Sequence, residues 1–123
     1  MIKFVYCVRK NPEMSDQEFR DYWLNHHGPL VKSVAETLQA KKYVQSHTID
    51  SPLNGVAQAP RMSKTPYDGI TEVWWESHDA LAAIVQTPEA QEALGTLVQD
   101  EAKFCDLPNC SVFLTEEHLS LIH

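Results

Sequence analysis

Four side chains in this 123-residue sequence are the candidates for moving protons: His27, His47, Asp68 and Glu72. His27 stands directly before Gly28-Pro29, where a helix must bend, so its ring is expected near a kink and within reach of the end of a sheet. An imidazole titrating near neutrality can put a proton on, or take it from, an activated carbon or hydroxyl. A structural role competes with this, because the ring can also hydrogen-bond a carbonyl freed by Pro29. His26 falls nearer the centre of the apolar stripe and reads as a core histidine. His47 shares one side of an extended segment with Tyr43 and Gln45, three polar-tipped residues where a core strand would carry valine or isoleucine. That side lines either a wet pocket or a solvated sheet edge. Glu72 lies between Ile70 and Trp74 and needs a partner, either a histidine or arginine across a pocket or a structural ion pair with Arg9. Asp68, before Gly69, either orients an imidazole or makes ordinary turn chemistry.

Aromatic residues supply candidate walls for a flat ligand. Trp74 and Trp75 are consecutive and point to opposite sides of a strand, so one packs beneath helices while the other enters a cavity on the open face. Tyr6, Phe4 and Tyr43 offer similar surfaces, with core packing as the alternative, and Phe104 closes the run Asp-Glu-Ala-Lys-Phe at the far end of the chain. No H-x-x-x-H, H-E-x-x-H or C-x-x-C spacing occurs, so a metal site has little support. There is no G-x-G-x-x-G, phosphate loop or G-x-S-x-G elbow either. No bound cofactor is expected, although one imidazole in an aromatic cavity would suffice as a haem ligand.

The elements that must position these residues follow from the pattern. Residues 2–9 are β-branched and aromatic, and Asn11-Pro12 ends them as a turn. Ser15 and Glu18 form a capping box for a helix whose apolar face runs through Phe19, Tyr22, Trp23, His26 and Leu30, kinked at Gly28-Pro29 and resuming to about Leu38. Residues 42–49 read as a second strand and 69–76 as a third. The stretch 50–68, with three prolines and a glycine, reads as a long irregular connection, a lid or a dimer arm. Ser77 and Thr87-Pro88 start two further helical runs, and residues 109–115 form the last strand.

This order is the split βαβ pattern of an α+β, ferredoxin-like domain: one four-stranded antiparallel sheet with its helices on a single face, spanning residues 1–123 as one domain. Ile2, Phe4, Tyr6 and Val8 alternate with Val5 and Cys7, so both faces of the sheet are apolar and the uncovered face asks for a second cover. A second copy provides it, giving a homodimeric α/β barrel with a cavity between or within the open faces. Lys and Arg total 10 against 17 Asp and Glu, a net charge of −7 that disfavours nucleic acid and anionic membranes. Three cysteines without paired spacing fit reduced thiols in the cytoplasm, and no segment is apolar enough to span a bilayer.

Residues 14–31 resemble the signature of the EthD family, an F-x-x-x-W segment leading to H-x-P-L, here Phe19 to Trp23 and His27 to Leu30. The similarity continues through residues 43–47, 67–75 and 100–104. The resemblance implies a dimeric ferredoxin-like barrel. The family and its structural relatives include proteins associated with ether degradation and cofactor-free cyclases, dehydratases, decarboxylases, isomerases and monooxygenases, among which fold alone does not choose. The segment 50–67 and Trp75, where the family often has phenylalanine, depart from the pattern. The expected function is cofactor-independent proton transfer on a small aromatic or polyketide-like metabolite. In it His27 acts as base or acid, His47 binds or assists, Glu72 or Asp68 tunes an imidazole, and Tyr6, Tyr43, Trp74, Trp75 and Phe104 hold the substrate. The alternative is a non-catalytic small-molecule or haem-binding accessory protein.

Overall fold

In the computed structural model, which describes residues 1–118 and 120–122, the strands are β1 (Ile2–Val8), β2 (Lys42–His47), β3 (Gly69–Trp75) and β4 (Ser111–Glu116). They form one antiparallel sheet in the order β2-β3-β1-β4. The helices are α1 (Asp16–Tyr22), α2 (Gly28–Leu38), α3 (Pro52–Gln58), α4 (His78–Ile84) and α5 (Pro88–Phe104). The architecture is the expected α+β, ferredoxin-like one.

The pleat divides the sheet cleanly. Phe4, Tyr6 and Val8 of β1, with Val73 and Trp75 of β3, face the helices and join two buried clusters. One cluster gathers Val31, Leu38, Val73, Trp75, Ala93 and Leu97. The other gathers Tyr6, Val8, Phe19, Trp23, Phe104 and Cys105. Trp75 is the tryptophan under the helices, its indole N–H donating to the Leu38 carbonyl at 2.7 Å. The opposite face carries Lys3, Val5 and Cys7 beside Ile70, Glu72 and Trp74. There Trp74 lies between the ammonium groups of Lys3 and Lys42, 5.4 and 4.8 Å from its ring.

The segment after α1 positions the chemistry. Ser15 caps α1 through the Glu18 N–H, and Glu18 returns the bond to the Ser15 N–H, as the capping box requires. Pro29 would crowd the carbonyl four residues back in a regular helix. The chain instead widens into a π-helical turn, Trp23–His27, in which the Gly28 N–H reaches back five residues to the Trp23 carbonyl. The helix passes into α2 through this turn rather than breaking at Gly28-Pro29. The widened turn absorbs one extra residue and shifts the face. Phe19, Trp23, His27 and Val31 are buried, whereas His26 is exposed and stacks on Tyr22 at 5.0 Å. The reading of His26 as a core residue is thereby corrected.

The stretch 50–68 is not irregular throughout. Ser51 caps α3 by accepting the Leu53 N–H at 3.1 Å, Pro52 occupies its first turn, and a 3-10 turn, Ala59–Arg61, follows. Strands β2 and β3 end at His47 and Trp75, and β4 begins at Ser111, after a 3-10 turn over Leu107–Asn109.

Candidate active site

Bounded by the sheet on one side and by α2, α4 and α5 on the other, and open past the exposed Val112 and Leu114 of β4, lies a cavity of about 660 Å³ lined by residues of both clusters. Its position corrects the expectation of a chamber on the sheet's open face: the hollow sits under the helices within a single subunit. The physical reason is that the helices do not cover β4, whose Val112 and Leu114 share the helix side with Tyr6 and Phe4 yet are 55% and 43% exposed. Its wall is mostly apolar, and its polar groups include His27, Glu101, Tyr6, Tyr43 and Thr71.

His27, only 5% exposed, is carried inward by the π-helical turn. Its Nδ1 lies 2.8 Å from Oδ2 of Asp100 on α5. A carboxylate only accepts, so Nδ1 carries the hydrogen and Nε2 keeps its lone pair. Asp100 also accepts from the Tyr22 hydroxyl at 2.5 Å. Burial would raise the Asp100 carboxyl, but the hydrogen bonds from Tyr22 and His27 outweigh it and hold its pKa below the ordinary value. Burial likewise lowers His27 below its ordinary value, against the opposing pull of Asp100. The dyad is therefore a neutral imidazole oriented by an ionised carboxylate. Across from it, Oε2 of Glu101 lies 4.0 Å from His27 Nε2. Burial pushes the Glu101 carboxyl up to about 7, although the Tyr6 hydroxyl favours the ionised form. A base whose pKa burial lowers and an acid whose pKa burial raises thus face each other over a gap too long for a direct hydrogen bond.

Asp100 and Glu101 are neighbours on α5, and their side chains diverge by about 100° around the helix. One therefore reaches back to the imidazole while the other enters the cavity. The sequence reading missed both. Glu101 sits four residues after Leu97 and three before Phe104, on the buried stripe of α5, and a carboxylate on such a stripe was the available signal.

The remaining candidates are dispersed. Tyr6, Tyr43, Trp75 and Phe104 line the cavity, Phe104 lying 4.9 Å from the His27 ring as the last residue of α5. His47 stacks on Trp23 at 4.2 Å, and its Nε2 lies 2.7 Å from the side-chain Oε1 of Gln45, on the edge strand β2 and outside the cavity lining. Glu72 lies on the opposite face of the sheet, paired with Lys3 at 2.8 Å rather than with Arg9 or a histidine, because its position in the pleat directs it away from the helices. Trp74 shares that face for the same reason and is no cavity wall. Asp68 accepts the Lys10 backbone N–H at 2.7 Å, pinning the end of β1, and does not reach the cavity. Among the described residues, no group of three or more His, Cys, Asp or Glu is arranged to hold a metal ion, and no helix is long and apolar enough to cross a membrane.

Fold and site together define a ferredoxin-like α+β domain with a cavity under its helices. The EthD domain signature matches residues 11–108, and the chain belongs to the EthD family. An EthD family protein from Bacillus halodurans is similar over 96% of this chain and 99% of its own, with a TM-score of 0.63 at 19% identity. A dimeric protein of ferredoxin-like fold from Bacteroides fragilis matches with a TM-score of 0.59 at 8% identity, covering 94% of this chain and 95% of its own. SnoaB, a cofactor-independent oxygenase from Streptomyces nogalater, matches with a TM-score of 0.55 at 12% identity over 99% and 97% of the two chains. No curated protein matches the sequence.

The Glu101 carboxyl makes the fold's stability depend on pH in a defined direction. Its pKa rises from an ordinary 4.5 to about 7 on folding, so the folded chain holds a proton that the unfolded chain releases in that window. Its contribution is fully present below about pH 4.5 and is lost as pH rises through about 7. Replacing Glu101 by glutamine removes this loss while leaving His27 in both proteins. The stability of the variant relative to the parent is expected to rise by a few kcal/mol between about pH 4.5 and 8, read from urea denaturation at each pH. Parallel curves would contradict the buried-acid assignment.

Proposed function

We propose that this protein is a cofactor-independent enzyme that catalyses proton transfer on a small, uncharged, largely apolar organic molecule. The observation that carries this reading is the buried His27–Asp100 dyad facing the raised carboxyl of Glu101 across one apolar cavity. His27 Nε2 takes a proton from carbon or oxygen, and Asp100 stabilises the imidazolium that forms. Glu101, in its acid form, gives its proton to the oxygen on which charge develops. Isomerisation, cyclisation and dehydration use these two moves, whereas decarboxylation would need a carboxylate substrate. Among the described residues, no lysine or arginine lines the cavity. An anionic substrate would bring its charge into apolar surroundings without a cationic partner there, at a cost that favours neutral molecules. The volume suits a ligand of two or three fused rings.

The open face of the sheet supports a homodimer as its cover, with Ile70 and Phe113 each more than a third exposed and solved neighbours described as dimeric. Sedimentation at micromolar concentration is expected to give a dimer, and a strict monomer would contradict this. Free thiols at Cys7, Cys105 and Cys110 support work in the reducing cytoplasm.

Proton transfer can be tested without the natural substrate. 1-Tetralone, a neutral bicyclic ketone, exchanges its C2 hydrogens slowly in deuterated buffer. Stoichiometric protein is expected to accelerate this about a hundredfold or more, followed by proton NMR, while a tetralone bearing a carboxylate is unaffected. Binding of 1-tetralone without faster exchange would favour the carrier reading and overturn the catalytic one.

A further inference from the structure

Two thiols in the cavity wall have no part in the chemistry above. Cys105 follows Phe104 at the end of α5, in extended backbone, and is buried. Cys110 follows the 3-10 turn and is partly exposed. Both line the cavity and pack against the same cluster of Tyr6, Val8 and Phe104. The four residues between them are folded back tightly. The Cys110 N–H bonds the Leu107 carbonyl at 3.1 Å, and the Asp106 N–H bonds the Arg9 carbonyl at 2.9 Å, fastening the turn to the end of β1. This turn folds both residues against the end of β1: Cys105 pairs with Lys10 in an isolated bridge, the Arg9 N–H reaches the Cys110 sulfur, and that sulfur lies 3.3 Å from the carbonyl oxygen of Asp106, the residue next to Cys105.

Their surroundings differ in a way that assigns roles. The Cys110 sulfur accepts the Arg9 backbone N–H at 3.2 Å, and as a thiol it can donate to the Asp106 carbonyl at 3.3 Å. The neighbouring Cys105 thiol, with that backbone donor, lowers the Cys110 pKa below the ordinary thiol value. The neighbouring Cys110 sulfur and burial raise that of Cys105. Cys7 lacks this arrangement: it lies on the other face of the sheet, and burial raises its pKa.

We propose that Cys105 and Cys110 form a reversible dithiol couple that reduces hydroperoxides, with Cys110 the attacking sulfur and Cys105 the resolving one. The Cys110 thiolate attacks one peroxide oxygen, the O–O bond breaks, and the alkoxide leaves as an alcohol after taking up a proton. The sulfenic acid so formed on Cys110 is attacked by the Cys105 sulfur, which expels water and forms the S–S bond. Two thiols and one hydroperoxide thus give one disulfide, one alcohol and one water, two electrons passing to the peroxide. A dithiol reductant reverses the oxidation. The apolar cavity favours an organic hydroperoxide over hydrogen peroxide. The proposal stands independently of proton transfer at His27.

Cumene hydroperoxide added in equimolar amount to the full chain is the test, followed by unfolding, alkylation with N-ethylmaleimide and mass spectrometry. The last tryptic site follows Lys103, so both cysteines fall in the peptide 104–123 and Cys7 in another. The expected result is a 104–123 peptide about 2 Da lighter and free of alkylation, with Cys7 still alkylated, and full reversal by dithiothreitol. In Cys105→Ser, which retains a hydroxyl donor, dimedone should capture a sulfenic acid on Cys110 about tenfold faster than on Cys7. Full alkylation of 104–123 after peroxide, a disulfide involving Cys7, or dimedone capture confined to Cys7 in a folded Cys105→Ser protein would each overturn the proposal. If Cys105→Ser does not fold, the parent protein's mass measurement decides alone.

Discussion

Replacing His27 by glutamine is expected to remove about a hundred- to ten-thousandfold of the exchange rate at 1-tetralone, the range one positioned acid-base residue contributes. Glutamine keeps a side-chain N–H for Asp100 but has no lone pair of comparable basicity to accept a proton. The Asp100 carboxylate therefore stays partnered and the fold should persist, which a thermal melt confirms before rates are compared. Asp100→Asn provides the companion result. The amide presents a donor toward Nδ1, which drives the hydrogen onto Nε2 and removes the lone pair from the side of Glu101. Asp100 is thus a positioning residue, and its loss should depress exchange while the affinity for 1-tetralone is unchanged. In the parent protein the rate should fall on both sides of a maximum. On the acid side His27 takes up a proton, at a pKa lowered by burial, and on the alkaline side Glu101 loses one near 7. Glu101→Gln should remove the alkaline fall alone. Unchanged exchange in a folded His27→Gln protein would take the histidine out of the mechanism.

Gly69→Ala should be the most damaging single methyl in the domain. A Cβ at Gly69 would lie 2.4 and 2.5 Å from Trp23 ring carbons and 2.6 Å from the backbone oxygen of Ser46. None of these can yield cheaply. Trp23 is 1% exposed and held between Phe19 and His47, and the Ser46 oxygen belongs to β2, paired with β3. Overpacking of this kind typically costs about 1–3 kcal/mol, and a clash with backbone places the expected value at or above the upper end. The damage should reach the site as well, because Trp23 opens the π-helical turn that carries His27. Gly95 is the control. It is exposed within α5 with open space where a Cβ would go, so Gly95→Ala should stabilise by about 1 kcal/mol. Urea midpoints moving in opposite directions are the expected result, and equal midpoints would contradict the close packing at Gly69.

The elements were legible because local chemistry and tertiary packing agree in them. Ser15-Glu18, Ser77 and Thr87-Pro88 each cap a helix where expected, and the alternation in β1 and β3 gives the pleat. The helix α3 went unread although Ser51-Pro52 carries the same signal as Thr87-Pro88, because its mixed composition lacks an apolar stripe. The site was half legible. The Gly28-Pro29 interruption pointed to His27, but the proline was read as a kink at Gly28-Pro29, whereas the chain accommodates it by widening the turn before it. Glu72 and Trp74 were drawn into the site because strand alternation says which residues share a face without saying which face the helices cover. Asp100 and Glu101 required the register of a seventeen-residue helix against a partner distant in sequence.

The widened turn before Pro29 also governs how the two helical segments are spliced. The Gly28 N–H reaches the Trp23 carbonyl across five residues where regular winding would use four, so the turn holds one residue that a regular helix would not need. Deleting Asn25 should let that bond close at the ordinary span, with the histidine before Gly28 still one turn ahead of the buried Val31 and its imidazole still inward.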